Sequence, residues 1–239
     1  MRRLAASFLT IIALAACSKQ PAQSPTFPKP DRPVSAAGAT EFSTEVQRDK
    51  LGEANMVMDL AKIGAGTTVA DLGAGEGYYT VRLAERVGTK GRVLAVDIDP
   101  GAIQRLGQRV ERERLDNVSI KTGLPENPRM PDASFDRVFM VHMYHEVGDP
   151  YGFLWNMRPG LKPGGQVIVV DVDRPTDKHG IPPALLFCEM GAVGFRLVQF
   201  VRKPELTGYY AQFEAVGARP EPAAIKPCKL GADGTAVQR

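Results

Sequence analysis

Apolar residues along the chain follow two alternating patterns. Short runs that are apolar almost throughout are typical of strands buried on both faces of a sheet. The segments between these runs place apolar residues three or four positions apart, as amphipathic helices do. The predicted strands are residues 69–72, 93–97, 118–121, 134–141, 166–171, 194–198 and 209–215. The predicted helices cover residues 41–63 and 183–192 and also follow Gly77, Asp99 and Asp149.

This alternation predicts an α/β fold. Consecutive β–α–β units imply right-handed crossovers and a mostly parallel sheet with helices on both faces. An antiparallel pair formed by the last two strands completes a doubly wound, seven-stranded sheet of order 3-2-1-4-5-7-6. Residues 40–220 are enough for one domain of ordinary size. We expect residues 221–239 to form an irregular C-terminal tail.

The first 16 residues have the pattern of an export signal. Two arginines precede an apolar run that would cover about 20 Å as a helix, short of the roughly 30 Å hydrocarbon core of a membrane. The run ends at Leu14-Ala15-Ala16-Cys17, which resembles a bacterial lipobox. The resemblance implies cleavage before Cys17, a lipid anchor on its sulfur and, with Ser18 next, passage to the outer membrane. The alternative is an ordinary export signal followed by an incidental cysteine.

Composition predicts where the protein is located but does not identify a substrate. Residues 17–39 contain five prolines among polar residues, which predicts an extended spacer between a membrane of the cell envelope and the domain. The formal net charge of +3 includes the two arginines of the signal, and without them the chain carries +1. Such a charge gives no reason to expect nucleic acid as a partner. We expect an exported monomer or weak dimer.

The turn after the first predicted strand contains three glycines. Gly73, Gly75 and Gly77 allow a backbone with positive φ to approach a ligand closely, and the next helix offers its N-terminal N–H groups. The dinucleotide fingerprint G-x-G-x-x-G would require glycine where Tyr78 stands. Asp71, at the strand end, would repel a diphosphate and attract a cation. Both features disfavour a nicotinamide oxidoreductase.

The segment Asp71-Leu72-Gly73-Ala74-Gly75-Glu76-Gly77, with Asp97 ending the second strand, resembles motif I and the following acidic position of class I S-adenosylmethionine-dependent methyltransferases. Ser134-Phe135-Asp136 and the turn over residues 161–165 resemble the same family, so the likeness spans residues 69–171. The resemblance implies that the protein binds S-adenosylmethionine and transfers its methyl group to a small-molecule acceptor by in-line displacement. The implied cofactor-binding residues are Asp71, Gly73, Ala74, Gly75, Asp97, Ile98 and Leu124.

One departure from the family pattern keeps an alternative open. Many relatives carry an acid after the third strand that bonds the adenine amine, whereas Thr122-Gly123-Leu124 stands here. The alternative is a non-catalytic cofactor-binding or scaffold lipoprotein that retains the fold.

Three polar residues follow the fourth predicted strand and are candidates for catalysis: His142, His145 and Glu146. Ligands of open α/β sheets bind outside the carboxyl ends of the strands, where a histidine could accept a proton. The spacing differs from the H-E-x-x-H of zinc proteases, and the third histidine, His179, lies in a separate loop, so we expect no metal site. For His145 and Glu146, a structural role in helix capping or loop hydrogen bonds is the alternative.

Two further features have two interpretations each. If Cys17 is acylated, Cys188 and Cys228 remain, and a disulfide would tie the tail to the last helix in an oxidising compartment. Alternatively, Cys188 is a buried core residue and Cys228 a free thiol. The segment Arg48-Asp49-Lys50 lies either near the mouth of the cofactor pocket or on the surface.

Overall fold

The computed structural model describes residues 25–36, 44–203, 206 and 208–239. The export signal, Cys17 and residues 18–24 and 37–39 of the predicted spacer lie outside the described residues. Among the helices that are described, none is both long and apolar enough to span a bilayer.

The central sheet has the predicted strand order. Seven strands lie side by side as β3-β2-β1-β4-β5-β7-β6. The first five are parallel, and β7 pairs antiparallel with both β5 and β6. The strands are β1 (Thr68–Leu72), β2 (Arg92–Asp97), β3 (Val118–Thr122), β4 (Phe135–Val141), β5 (Leu161–Asp171), β6 (Phe195–Lys203) and β7 (Gly208–Ala215).

In the described part of the chain, six α-helices surround the sheet, and their ends follow local sequence signals. Asp99 and Asp149 accept hydrogen bonds from backbone N–H groups of the first turns that follow them, as predicted. The single helix predicted over residues 41–63 is divided, because Gly52 adopts a left-handed conformation with φ of 68°. The helices are α1 (Glu45–Leu51), α2 (Glu53–Leu60), α3 (Tyr78–Val87), α4 (Pro100–Arg112), α5 (Pro150–Met157) and α6 (Pro183–Ala192).

Apolar side chains bury both faces of the sheet. Alternate residues of one strand point to opposite faces, so Val138 and Met140 join the cluster under α5 and α6. Phe139, between them in sequence, joins the cluster under α2 and α3. The near-continuous apolar runs seen in the sequence are the consequence of this two-sided burial.

Residues 25–36, which we call the N-terminal strap, pack against the domain. The ring centroids of Phe27 and Trp155 lie 5.6 Å apart. Arg32 Nε bonds Glu189 Oε1 at 2.8 Å, and the two side chains are 2% and 0% exposed. Tyr144 donates its hydroxyl to the other oxygen of Glu189, at 2.8 Å. This part of the predicted spacer is therefore held against the domain, because Phe27 and Arg32 find specific partners that average composition does not reveal.

The C-terminal segment is also more ordered than expected. A short hairpin of β8 (Cys228–Leu230) and β9 (Ala236–Gln238) follows the sheet. Cys228 is bonded to Cys188 of α6 as a disulfide, which is the first of the two alternatives for these cysteines. The backbone N–H of Cys228 donates to the hydroxyl of Tyr151, at 2.6 Å. The disulfide and this hydrogen bond hold the segment against the domain.

Removing the cation of the strap should destabilise the whole domain. Replacing Arg32 by Met leaves the Glu189 carboxylate buried without its ion-pair partner, which we expect to lower the free energy of unfolding by about 3–5 kcal/mol. The exposed pair of Arg196 and Glu214 provides a matched control, because Arg196→Met should cost less than about 1 kcal/mol. Urea denaturation of both variants measures the difference. Equal losses would contradict the contribution of the strap.

Candidate active site

A cavity of about 460 Å³ lies at the carboxyl ends of the parallel strands. One part of its wall comes from the turns after β1, β2 and β3, and includes Gly75, Asp97 and Leu124. The opposite part comes from the segment after β4 and from α5, and includes Met143 and Phe153. The volume lies within the range of small-molecule sites.

Each of the three glycines in the turn after β1 has a different structural role. Gly73 and Gly77 have φ of 69° and 91°, and added Cβ atoms would lie 2.8 Å from Met143 Cγ and 2.5 Å from Leu106 Cδ1. At Gly75, with φ of 54°, a Cβ would meet nothing within 4 Å. Gly73 and Gly75 line the cavity, whereas Gly77 allows α4 to pack closely against the turn.

Asp97 lines the part of the cavity formed at the ends of β1, β2 and β3. Its Oδ2 accepts the N–H of Gly75 at 2.8 Å, and its Oδ1 accepts the N–H of Asp99 at 2.9 Å. Each carboxylate oxygen retains a further lone pair for a ligand. Ile98, which is 47% exposed, lines the cavity beside it. The structure therefore holds the Asp97 carboxylate in a fixed orientation at the end of β2.

Two of the predicted cofactor-binding residues do not line the cavity. Asp71 is 3% exposed, and its Oδ2 accepts the hydroxyl of Thr80 at 2.6 Å. Burial raises the pKa of Asp71 to about 6, while the Thr80 hydroxyl acts in the opposite direction. Ala74 packs beneath the turn with Ala95 and Leu106. Asp71 thus fastens the first turn of α3 to the end of β1 and does not line the cavity.

The loop after β3 provides apolar surface in place of the missing acid. The backbone N–H groups of Gly123 and Leu124 already donate to the carbonyl oxygens of Asp97 and Asn127. Leu124 lines the cavity with its neighbour Pro125, which has no N–H group. This loop therefore offers a ligand carbonyl oxygens and van der Waals contact.

The charges on the cavity wall are mostly negative. The acidic lining residues are Glu76, Asp97, Asp99 and Glu146. Among the described lining residues the permanent cation is Arg105, whose Nε bonds Glu76 Oε1 at 2.7 Å. Such a wall attracts a cationic ligand and repels a diphosphate. The sequence analysis did not predict Arg105, Met143 and Phe153 as site residues. Met143 could have been predicted, because it directly follows His142 and ligands of such sheets bind at the carboxyl ends of the strands.

Of the three catalytic candidates, His142 and Glu146 line the cavity. His142 follows β4 with φ of 53°, and its Nε2 lies 3.9 Å from Glu53 Oε1. Burial lowers the pKa of His142, and the Glu53 carboxylate partly opposes this effect. The imidazole is therefore neutral at pH 7, in the form that can accept a proton.

His145 does not line the cavity, although the sequence predicted it to. It is 0% exposed, and its Nδ1 lies 2.9 Å and 3.0 Å from the two oxygens of Asp171, which is also 0% exposed. Its Nε2 lies 3.9 Å from Glu146 Oε1. The 3-10 turn over residues 144–146 directs His145 into the domain and leaves Glu146 at the cavity.

The helices before β1 reach the site through a polar network. Arg48 bonds Glu53 at 2.6 Å, and Tyr79 donates its hydroxyl to the same carboxylate at 2.9 Å. Arg48 also stacks over the ring of Tyr78, 3.8 Å from its centroid. Arg48 thus lies neither at the cavity wall nor free on the surface. It positions Glu53, a buried acid near His142 that the sequence pattern did not single out.

The pH dependence of stability should report the burial of Asp71. Because its pKa is raised on folding, its contribution to stability is fully present below about pH 4 and is lost as the pH rises through about 6. Asp71→Asn stays neutral and keeps an oxygen for Thr80. Its stability relative to the wild type should therefore increase by about 3 kcal/mol between pH 4 and pH 7. Chemical denaturation across this range measures the change. The exposed Asp116→Asn is the control, and a pH profile of Asp71→Asn parallel to the wild type would contradict this account.

Comparisons with known proteins agree with the geometry. A family described as "Methyltransferase domain" matches residues 63–189, more than half of the chain. The demethylmenaquinone methyltransferase of Listeria welshimeri is 30% identical over 118 residues, which are 49% of this chain and 50% of that protein. The arsenite methyltransferase of Halobacterium salinarum is 27% identical over 171 residues, 65% of this chain and 44% of that protein. The chain thus spans about half the length, or less, of these curated relatives.

A solved structure shows the same fold. A SAM-dependent methyltransferase from Aquifex aeolicus superposes with a TM-score of 0.62 and 22% identity, covering 72% of this chain and 97% of that one. The chain belongs to the methyltransferase domain family.

Proposed function

We propose that the protein transfers the methyl group of S-adenosylmethionine to a small-molecule acceptor inside the cavity described above. The observation that carries this proposal is the pairing of the open backbone at Gly75 with the fixed carboxylate of Asp97. A ribose diol is a suitable partner for that carboxylate, since both hydroxyls can donate to its remaining lone pairs.

The residues of the cavity fit this cofactor chemically. S-adenosylmethionine carries no phosphate, has a sulfonium and an ammonium group, and supplies an electrophilic methyl group. The acidic wall favours such a cation, and the Asp71 carboxylate, one residue before the lining residue Leu72, adds negative charge above pH 6. Ile98 and Leu124 would contact the adenine, because both are apolar and lie on the Asp97 side.

The opposite side of the cavity would receive the acceptor. Its apolar residues Met143, Val147 and Phe153 limit the access of water and favour an acceptor with an apolar body. Methyl transfer depends largely on holding the nucleophile in line, so correct positioning contributes much of the rate. The neutral imidazole of His142 could accept a proton from an acceptor that must lose one. No comparable feature favours a scaffold that binds the cofactor without turnover.

The proposed location is the cell envelope, with a lipid anchor on Cys17. The proposal rests on the apolar segment and the lipobox-like sequence at its end. Residues 25–36 pack against the domain, so they cannot extend to increase its distance from such an anchor. The chain between Cys17 and Pro25 spans at most about 28 Å. The domain would therefore be held close to the membrane.

The Asp97 carboxylate should govern cofactor affinity. Asp97→Asn removes the charge and one acceptor for the ribose, so we expect S-adenosylmethionine to bind at least about tenfold more weakly, or 1.4 kcal/mol. Asp116→Asn is the control, because it makes the same chemical change at an exposed acid that is not among the residues lining the cavity. Calorimetric titration measures both. Equal affinities in the two variants would contradict the assigned role, and cofactor binding without turnover on any acceptor would favour the scaffold.

The anchor can be tested separately from the chemistry. When the full chain is expressed in a Gram-negative bacterium, it should incorporate labelled palmitate and sediment with the outer membrane. Cys17→Ser should abolish the label and release the protein into a soluble fraction, because no thiol remains for the lipid. Cell fractionation of the wild type and the variant measures this. An unlabelled wild type, or an unchanged distribution in the variant, would overturn the proposal of an anchor.

A further inference from the structure

Beside the cavity, three residues bring metal-binding atoms together. His145, Glu146 and His179 each offer a ligand atom, and the three atoms lie within 4.8 Å of one another. The rings of His145 and His179 are 5.8 Å apart and nearly perpendicular, at 84°. Two imidazoles and a carboxylate are a ligand set that zinc and other divalent transition metals bind readily.

The hydrogen bonds of His145 determine which of its ring nitrogens could bind a metal ion. Its Nδ1 is held by the Asp171 carboxylate, so in the neutral ring the proton lies on Nδ1 and the lone pair on Nε2. That Nε2 is fully buried and finds no hydrogen-bond partner among the described residues. A buried acceptor without a donor is costly, whereas a carboxylate–histidine pair of this kind commonly orients a metal ligand.

His179 adds a second, independent observation. Its Nδ1 is likewise buried and has no hydrogen-bond partner in the described part of the chain. The residue has φ of 53°, a left-handed conformation that is uncommon for histidine, and its N–H donates to Ser35 Oγ of the strap at 3.1 Å. Ser35 in turn donates to the carbonyl oxygen of Thr176. The strap therefore holds the loop that brings His179 to His145.

From this arrangement we infer a divalent transition-metal site formed by His145, Glu146 and His179, with Asp171 orienting His145. The expectation of no metal site came from the spacing along the sequence, which does not show that the loop after β5 returns to the turn after β4. Zinc bonds of 2.0–2.1 Å in a tetrahedron place ligand atoms about 3.4 Å apart. His145 Nε2 and Glu146 Oε1, at 3.9 Å, need only a small movement to reach that separation.

The site has the composition of a reactive centre. Three protein ligands leave one tetrahedral position for water or for an oxygen atom of a small molecule, unlike a closed structural site with four protein ligands. Glu146 also lines the cavity, so the metal would lie at the wall of the side assigned to the acceptor. The metal site itself does not depend on the proposed methyl transfer.

Zinc binding by the full chain tests the inference directly. The protein is used without an affinity tag and with Cys17→Ser, which removes the one cysteine outside the disulfide. After treatment with a chelator and dialysis against zinc, we expect one zinc ion per chain. Cobalt in its place should give the visible absorption of a four-coordinate ion. His179→Ala and Glu146→Gln should each weaken zinc binding at least about tenfold, and Asp171→Asn by about 10- to 100-fold.

His142 provides the matched control. His142→Gln removes a histidine that lines the cavity but is not among the three ligands, so zinc binding should stay unchanged. His179 lies in a loop, so His179→Ala keeps the test decisive even if Asp171→Asn fails to fold; thermal denaturation checks both. Failure of the parent protein to bind zinc, or undiminished binding in His179→Ala and Glu146→Gln, would overturn the inference.

Discussion

The parallel hydrogen-bond ladder is the constraint on which the site depends. Leu72 of β1 is in register with Val96 of β2 and Met140 of β4, and Met140 with Val169 of β5. In parallel strands the carboxyl ends therefore meet at one edge of the sheet. Every element of the site, from the glycine turn to the segments after β4 and β5, is brought to that edge although the residues are far apart in sequence.

This constraint explains why so much of the architecture was predictable. Two-sided burial gives apolar runs that identify the strands, and β–α alternation with right-handed crossovers indicates a parallel sheet. The strand order is what the resemblance to class I methyltransferases implies, and the structure has that order. The N-caps Asp99 and Asp149 were predicted because capping depends only on neighbouring residues. Asp97 was placed at the cavity for the same reason, since it is the last residue of β2.

The features of the site that the sequence could not predict depend on the direction of side chains or on distant partners. Asp71 and Asp97 both look like acids at a strand end, but Asp71 still pairs with Ala95 and Phe139 inside the sheet. There α3 covers it and Thr80 supplies its hydrogen bond. His145 is turned inwards by a 3-10 turn of three residues, and Asp171, its partner, lies 26 positions away. No local pattern encodes that pairing.

The strap joins the tether to the site more closely than composition suggests. The guanidinium of Arg32 bonds Glu189 and also donates to the carbonyl oxygens of His145 and Val147, at 3.4 Å and 3.3 Å. Three residues further on, Ser35 holds the loop that carries His179. The strap thus contacts both the turn after β4 and the loop after β5. If the proposed anchor on Cys17 is present, the contacts that set the geometry of the segments after β4 and β5 would also orient the domain relative to the membrane.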